Sequence, residues 1–402
     1  MRNLKIYAFT YPAILDFLLP LQLRTANEPL LPRLKTFECE ELPGEAISFV
    51  PLFLSSKTIE ISITLDEGEY HSVVATACVV TRLPTLCPKL ECVTLKNLPK
   101  DPVTVSAVSE MLLACNRDYL RVFFADSPLT EEAREVACQL PKLSKLHTVV
   151  QGHSPLPLAS LPNLTAIEVE YDGHLDWLQG LRGATPKGLK EVNFHTESEQ
   201  IGDFLGEFER VALTTPAPNT LVAFRFCTSR SWNPRYSSLL SFRQLEQLDI
   251  ESCCSGGCDS RVDDDVVVAL AQAMPRLKIL GLCGTPCGEP SAATVNGLVA
   301  LASLCPHLSQ LRIHFQADTL INAAITVVKT PPDCELGAVQ QGDCALTELE
   351  VGSIRIKKGS SSSITSTLLK IFPHILCIDY DSDWSWGDIE TAIGDSRCTS
   401  RE

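Results

Sequence analysis

The stretch Pro275-Arg276-Leu277-Lys278-Ile279-Leu280-Gly281-Leu282 decides the fold of this chain. Its apolar residues follow the pattern L-x-x-L-x-L, and the alternation at its end is typical of a strand that is buried on one face. The proline in front of the pattern cannot continue a helix, so it separates a preceding helix from this strand. We therefore expect a helix that ends before Pro275 and a strand that begins after it.

The same phrase recurs along the chain, which is the mark of a repeat protein. Counted from Leu34 to Ile375, twelve intervals of 21 to 38 residues average roughly 28 residues, the length of a leucine-rich repeat. Copies with the proline start at Pro32, Pro88, Pro141, Pro162, Pro275, Pro306 and Pro373. Copies without it start at Leu189, Leu221, Leu245 and Leu346, and weaker copies lie at Ile61 and Leu120.

The segments between the predicted strands have the spacing of helices. Apolar residues recur at i, i+3, i+4 and i+7 from Ala133 and again from Val295. Helix starts are expected at Thr130, Asp263 and Ser291, because their side-chain oxygens can accept hydrogen bonds from the first helical turn. Capping of one helix accounts for the acidic run 263–265, since negative charge suits the positive end of the helix dipole. The predicted unit is therefore strand, loop and helix.

One strand and one helix cannot bury their apolar faces alone, so the units are expected to stack. Strand-helix-strand connections are right-handed, which predicts parallel strands on the concave side of an arc and helices on its convex side. The predicted fold is an α/β leucine-rich-repeat solenoid, or horseshoe, of about 12 irregular repeats. We expect a partial N-terminal repeat or cap at residues 1–31, the solenoid at 32–380, and a C-terminal cap and disordered tail at 381–402, with disorder from about Gly394.

Composition and charge exclude several classes of protein. The 402 residues are 45% hydrophobic and 21% charged, which is typical of a folded, soluble chain. The formal net charge of −15 opposes binding to phosphate backbones, so nucleic acid is not an expected partner. Asp16 and the prolines at 12 and 20 interrupt the apolar N-terminal patches, so we predict no membrane-spanning segment and no signal peptide. Seventeen scattered cysteines then predict reduced, mostly buried thiols in a cytoplasmic or nuclear protein.

The exposed positions of the phrase form a candidate binding surface. In parallel strands, the residue between the last two apolar positions points to the concave face, and neighbouring strands are about 5 Å apart. Side chains in such a row can bind an extended segment of a partner protein, while a merely solvated face is the alternative. This predicted row is Glu168, Asn193, Arg225, Asp249, Gly281, Arg312 and Glu350.

Inside and outside positions should respond differently to truncation. Leu280→Ala removes a stacked core side chain and should cost about 2–5 kcal/mol. Arg312→Ala changes an outward position and should cost well under about 1 kcal/mol.

Other candidates for chemistry are few. Cys254, Cys258, Cys283 and Cys287 form two C-x3-C pairs after neighbouring predicted strands, and four thiols can hold a tetrahedral zinc ion. Buried or incidental thiols are the alternative, because the C-x2-C spacing of zinc sites is absent. The eight histidines show neither H-x3-H nor H-E-x-x-H spacing, and the sequence contains no nucleophile elbow and no phosphate-binding loop. We therefore predict no catalytic residue and no cofactor.

One region resembles a known family. The strand phrase Leu277-Lys-Ile-Leu280-Gly-Leu282, the acidic-capped helix before it and the run Leu304-Cys305-Pro306-His307-Leu308 look like the leucine-rich repeats of fungal F-box proteins. The resemblance covers residues 30 to 380 approximately. It implies an adaptor of an SCF ubiquitin ligase, in which an F-box docks on the Skp1 subunit and the repeats hold a substrate for ubiquitin-dependent degradation. This chain departs from the family because it contains no recognisable F-box, so the Skp1 contact is assigned to none of its residues.

Three functions remain open from the sequence. The first is the substrate-recognition part of such a ligase adaptor, either truncated or separated from its F-box. The second is a free-standing repeat scaffold or regulator with no link to a ligase. The third is an enzyme whose site is too dispersed for motifs to reveal.

Overall fold

The computed structural model describes residues 1–7, 28–44, 46–66, 72–151, 161, 163–172, 188–197, 204–212, 220–228, 235–252, 262–282, 292–321, 344–351, 360–379 and 386–398. The chain divides into two compact units, Met1–Leu189 and Lys190–Glu402. Among the described residues, no helix is both long enough and apolar enough to cross a membrane.

The first unit contains a parallel sheet whose strands lie in chain order. Each strand pairs with the next one along the chain. Its described strands are β1 (Asn3–Tyr7), β2 (Thr36–Leu42), β3 (Glu60–Leu65), β4 (Cys92–Lys96), β5 (Val122–Pro128), β6 (Lys145–Gln151) and β7 (Ala166–Asp172). A 3-10 helix at Ala46–Leu52 follows β2, and the α-helices are α1 (Val73–Leu86), α2 (Pro102–Ala114) and α3 (Glu131–Ala137).

The second unit repeats this arrangement. Its strands also pair in parallel with their neighbours in the chain. The described strands are β8 (Glu191–Thr196), β9 (Ala223–Thr228), β10 (Gln247–Ser252), β11 (Ile279–Leu282), β12 (Gln310–Ile313), β13 (Glu348–Glu350) and β14 (Cys377–Asp379). The helices are α4 (Phe204–Ala212), α5 (Asp264–Ala273), α6 (Val295–Leu304), α7 (Ser361–Ile371) and α8 (Gly387–Cys398), with 3-10 helices at Tyr236–Leu239 and Ala317–Leu320.

The strand register aligns the leucines of the repeated phrase. In the second unit Leu248 lies opposite Leu280, Leu280 opposite Leu311, and Leu311 opposite Leu349. All four are at most 1% exposed. This ladder of buried side chains joins successive repeats into one core within the unit, and it confirms the predicted α/β leucine-rich-repeat solenoid arrangement.

Residues alternate in burial along the strands, as the repeat phrase predicts. In β3 the burial pattern alternates strictly between half-buried and buried positions. The positions that alternate with these core residues along each strand define the surface that we call the open face of each sheet. The weak copies of the phrase near Ile61 and Leu120 prove to be full strands, β3 and β5.

The structure corrects three details at the ends of helices. Helix α6 begins at Val295 and is capped by Thr294, so the expected start at Ser291 is wrong. Helix α8 includes residues 394–398, which the sequence pattern placed in a disordered tail. Asp263 does cap α5, but the neighbouring Asp264 caps a different helix, as described below.

Candidate protein-binding face

Six of the seven predicted row residues lie next to one another on the sheet of the second unit. Asn193 lies opposite Arg225 and Arg225 opposite Asp249. The same row continues across the following strands through Gly281, Arg312, Glu350 and Asp379. Asp379 was missed, although it follows Ile378 of the last repeat phrase as each of the others follows its own apolar residue.

The seventh predicted residue, Glu168, belongs to the row of the first unit. There it lies opposite His147, and His147 lies opposite Phe124. The sequence analysis did not assign the earlier members of this row, although each occupies the same outward position of its repeat. These members are Lys5, Glu38, Ser62, Thr94, Phe124 and His147.

Asp249 is the centre of an ion-pair network on the open face of the second unit. Asp249 is only 4% exposed. Nε of Arg225 lies 3.2 Å from Oδ2 of Asp249. Nη2 of Arg312 donates to both carboxylate oxygens, at 2.8 Å to Oδ1 and 3.0 Å to Oδ2. Two guanidinium groups thus compensate one nearly buried carboxylate, as a buried charge requires.

Arg312 also contacts two further carboxylates. Its Nη1 lies 3.6 Å from Oε1 of Glu251, and its Nε lies 3.5 Å from Oε2 of Glu350. Partial burial alone would lower the pKa of Arg312, but Asp249, Glu350 and Glu251 together outweigh it and raise that pKa. Arg312 is therefore a fixed cation whose charge is already balanced within the protein.

Gly281 makes this network possible. Arg312 is on β12 and Asp249 is on β10, so the guanidinium must cross the intervening strand β11 at the position of Gly281. A Cβ at residue 281 would overlap Oδ1 of Asp249 and would lie 3.1 Å from its Cγ and 3.4 Å from Nε of Arg312. The prediction that Gly281 contacts a partner stays a prediction. Its position shows a structural role, because the space left by its missing side chain is occupied by the Asp249–Arg312 pair.

A depression of about 220 Å³ lies on the open face beside this network. It spans β11 to β14, with the backbone around Gly281 at one end and Asp379 at the other. In the described part of the chain, three carboxylates line it, and all three residues are exposed. The polar and charged lining residues are Gln310, Arg312, Glu348, Glu350, Cys377 and Asp379.

The open face of the first unit carries a different arrangement. The imidazole of His147 stacks on the ring of Phe124, with centroids 3.8 Å apart and planes 15° apart. Nζ of Lys96 lies 5.1 Å from the centroid of the same ring. Nδ1 of His147 is 3.5 Å from Oε1 of Glu168, and among the described residues neither ring nitrogen makes a hydrogen bond.

Asp126 supports the loop next to this aromatic pair. Its carboxylate accepts hydrogen bonds from the backbone amides of Asn97 and Leu98. Asn97 has φ of 57°, in the left-handed region that its short polar side chain tolerates. Burial raises the pKa of Asp126, and the two amide hydrogen bonds offset only part of that effect.

The acidic run 263–265 contains three residues with distinct positions. Oδ1 of Asp263 accepts from the amide of Val266 at 2.9 Å and caps α5. Asp264 accepts instead from the amide and hydroxyl of Thr294, at 2.7 and 2.6 Å, and from the amide of Gly297 at 3.1 Å. It caps the next helix, α6, so the prediction that one helix start accounts for all three carboxylates was wrong. Asp265 is exposed.

The four cysteines considered for zinc, Cys254, Cys258, Cys283 and Cys287, lie outside the described residues. Within the described ranges, no group of three metal-binding side chains is close enough to hold an ion. Of the ten cysteines whose side-chain burial the structure describes, six are buried and all are free thiols.

Comparison with known proteins adds little to this geometry. No protein-family model matches the chain, and no curated protein matches its sequence. Among solved structures, the chain is similar to a protein of Bacteroides fragilis whose crystal structure was determined in a structural genomics programme. The match has 14% sequence identity and a TM-score of 0.32, and it covers 70% of this chain and 68% of that one. A likeness this distant carries no argument about function.

Proposed function

We propose that this protein binds another protein through the open face of its second unit. The observation that carries the proposal is the ion-pair network around Asp249, which holds charged side chains in fixed positions on that face. The proposed contact residues are the predicted row from Asn193 to Glu350, extended to Asp379. Glu168 is the corresponding candidate in the first unit. The proposal includes no catalytic step and no cofactor.

The network favours binding for an energetic reason. A partner must normally immobilise long side chains when it binds, at about 0.5–1.5 kcal/mol for each one. Arg312 is already held by three carboxylates before any partner arrives. Complementary charges at fixed positions also discriminate between partners and set the register of the complex. On a surface that is merely solvated, the side chain of Arg312 would not need to cross β11 at Gly281 in order to reach Asp249.

Site-specific photocrosslinking in cells tests this proposal. A benzophenone amino acid replaces Asn193 in one variant and Glu350 in a second, and both positions belong to the row. The control variant carries the same group at Glu132, which is exposed on α3. We expect one defined protein adduct from the row positions and not from the control. Adducts only from position 132, or none from either row position, would contradict the proposal.

The finer proposal is that the partner is a substrate of an SCF ubiquitin ligase in the cytoplasm or nucleus. Its support is the resemblance of the repeats around residues 263–308 to those of F-box proteins. Purified Skp1 should then bind the protein when it is expressed from the longest natural reading frame. Failure of that form to bind Skp1 removes the ligase link and leaves a free-standing repeat scaffold, which also binds through the open face.

A further inference from the structure

We infer that the segment bound by the second unit is a short, extended peptide rich in lysine or arginine, which lies over β11 to β14. This inference rests on the proposed function and specifies the chemistry of the partner. It places the peptide in the depression between Gly281 and Asp379 and assigns Glu348 and Asp379 as the residues that select positive charge.

Charge balance within the depression is the first argument. Among the described residues that line it, Arg312 is the one cation. That guanidinium is already shared among Asp249, Glu251 and Glu350. Glu348 accepts a hydrogen bond from the neutral amide of Gln310 at 2.7 Å. In the described part of the chain, neither Glu348 nor Asp379 forms a salt bridge, so two exposed carboxylates are left to attract a cation.

The thiol at the edge of the depression experiences the same negative charge. Partial burial raises the pKa of Cys377, and the carboxylates of Glu390, Asp379 and Glu348 raise it further. Three acidic groups from β13, β14 and α8 therefore act together at this point. An anionic partner such as a phosphorylated peptide would be repelled there, whereas an ammonium or guanidinium group would be attracted.

The dimensions of the depression suit an extended segment. It crosses four neighbouring strands, and strands in a sheet are about 4.8 Å apart, so its length is about 14 Å. An extended chain rises about 3.4 Å per residue, so about four residues span that length. Glu348 and Asp379 lie on adjacent strands, within reach of the long side chains of two basic residues in such a segment.

Selection from a library of random octapeptides tests the inference with the full-length chain. Three proteins are compared: the wild type, the site variant Glu348→Gln/Asp379→Asn, and the control variant Glu131→Gln/Glu135→Gln. Both variants change the net charge by the same amount, and the control residues are exposed on α3. We expect the wild type and the control to enrich peptides with two or more lysines or arginines. Fluorescence anisotropy should show that these peptides bind the site variant about tenfold more weakly and the control within about twofold.

Three results would overturn the inference. The first is enrichment of acidic or purely apolar peptides, and the second is no enrichment of any peptide. The third is an equal loss of peptide binding in the site variant and the control variant. That result would indicate that basic peptides are attracted to the acidic protein as a whole and not to this depression. The photocrosslinking experiment separates this failure from failure of the proposed function. An adduct at Glu350 whose crosslinked segment lacks basic residues would leave the proposed function standing and remove only the basic peptide.

Discussion

Asp249 shows how a single residue can lie in a predicted position and still have an unpredicted role. The repeat phrase places it on the open face, where a carboxylate would ordinarily be solvated. Asp249 is nevertheless only 4% exposed, and the guanidinium groups of Arg225 and Arg312 contact its carboxylate. The cost of burying a carboxylate is offset by charge-assisted hydrogen bonds from two guanidinium groups.

Gly281→Ala should destabilise the protein, because the new Cβ would overlap the Asp249 carboxylate. We expect a loss of about 1–3 kcal/mol in the free energy of unfolding, measured by urea denaturation. Gly394→Ala is the matched control, since no atom lies within 4 Å of its added Cβ. That control should be neutral or slightly stabilising in helix α8. Equal stability of both variants would show that the Asp249–Arg312 pair does not require the space left by the missing side chain of Gly281.

Arg312→Ala should cost more than its outward position suggests. It would leave Asp249 with Arg225 alone, and an incompletely compensated carboxylate costs about 1–3 kcal/mol. This expectation replaces the loss of well under about 1 kcal/mol that outward exposure predicts. Leu280→Ala, which opens the stacked core, should still cost about 2–5 kcal/mol. Chemical denaturation of Arg312→Ala, of Asp249→Ala and of the double variant Asp249→Ala/Arg312→Ala measures the coupling between the two residues, and additive losses would contradict the network.

Neighbouring helices in the second unit are joined by side-chain caps as well as by apolar packing. Asp264 sits in the first turn of α5 but accepts hydrogen bonds from Thr294 and Gly297 at the start of α6. A Cβ at Gly297 would lie 2.8 Å from Oδ1 of Asp264, so glycine permits the close approach. One carboxylate thereby satisfies three donors that the α6 terminus would otherwise leave to solvent.

Asp264→Ala should therefore destabilise the protein more than Asp265→Ala, although the residues are adjacent in one acidic run. We expect a cost of about 1–2 kcal/mol for Asp264→Ala, as for the loss of a helix cap. Asp265 is exposed, and its replacement should change stability by less than about 0.5 kcal/mol. Thermal denaturation of the two variants provides the comparison. Equal effects would mean that the acidic run acts only through the dipole of α5.

At the scale of the whole molecule, the burial of the described thiols follows the stacked core. Cys39, Cys87, Cys115, Cys138, Cys305 and Cys344 are buried. Burial raises the pKa of Cys39 and Cys305 to about 12 and that of Cys344 to about 11. A raised pKa leaves less of the reactive thiolate at a given pH, and at pH 8 a thiol with a pKa near 12 is ionised only about once in ten thousand molecules.

Alkylation with iodoacetamide at pH 8, read by mass spectrometry, should reflect this pattern. Among the described cysteines, we expect the exposed Cys78 to react first. Cys377 is also exposed, but it should react more slowly because its pKa is raised. The six buried thiols should react only after denaturant is added. Labelling of Cys305 at the rate of Cys78 in the native protein would contradict the assigned core.

The sequence by itself determined the class of fold and the positions of the strands that carry the repeat phrase, although not that of β1. Where the structure describes all three apolar positions of an L-x-x-L-x-L copy, all three are buried, and parallel stacking brings equivalent positions side by side. The buried ladder through Leu248, Leu280 and Leu311 and the row through Arg225 and Arg312 follow from that rule alone. Even the weak copies near Ile61 and Leu120 obeyed it, because alternation of burial survives when individual leucines are replaced.

Only the tertiary structure decided which side chains bind one another. Arg312 pairs with a carboxylate 63 residues away and two strands distant, and Asp264 caps a helix that starts about 30 residues later. Such pairings depend on the length of each side chain and on the space left by the missing side chains of Gly281 and Gly297. The pattern of apolar residues along the sequence specifies neither of these. The physical reason is that burial is periodic along the chain, whereas ion pairs depend on distances between separate repeats.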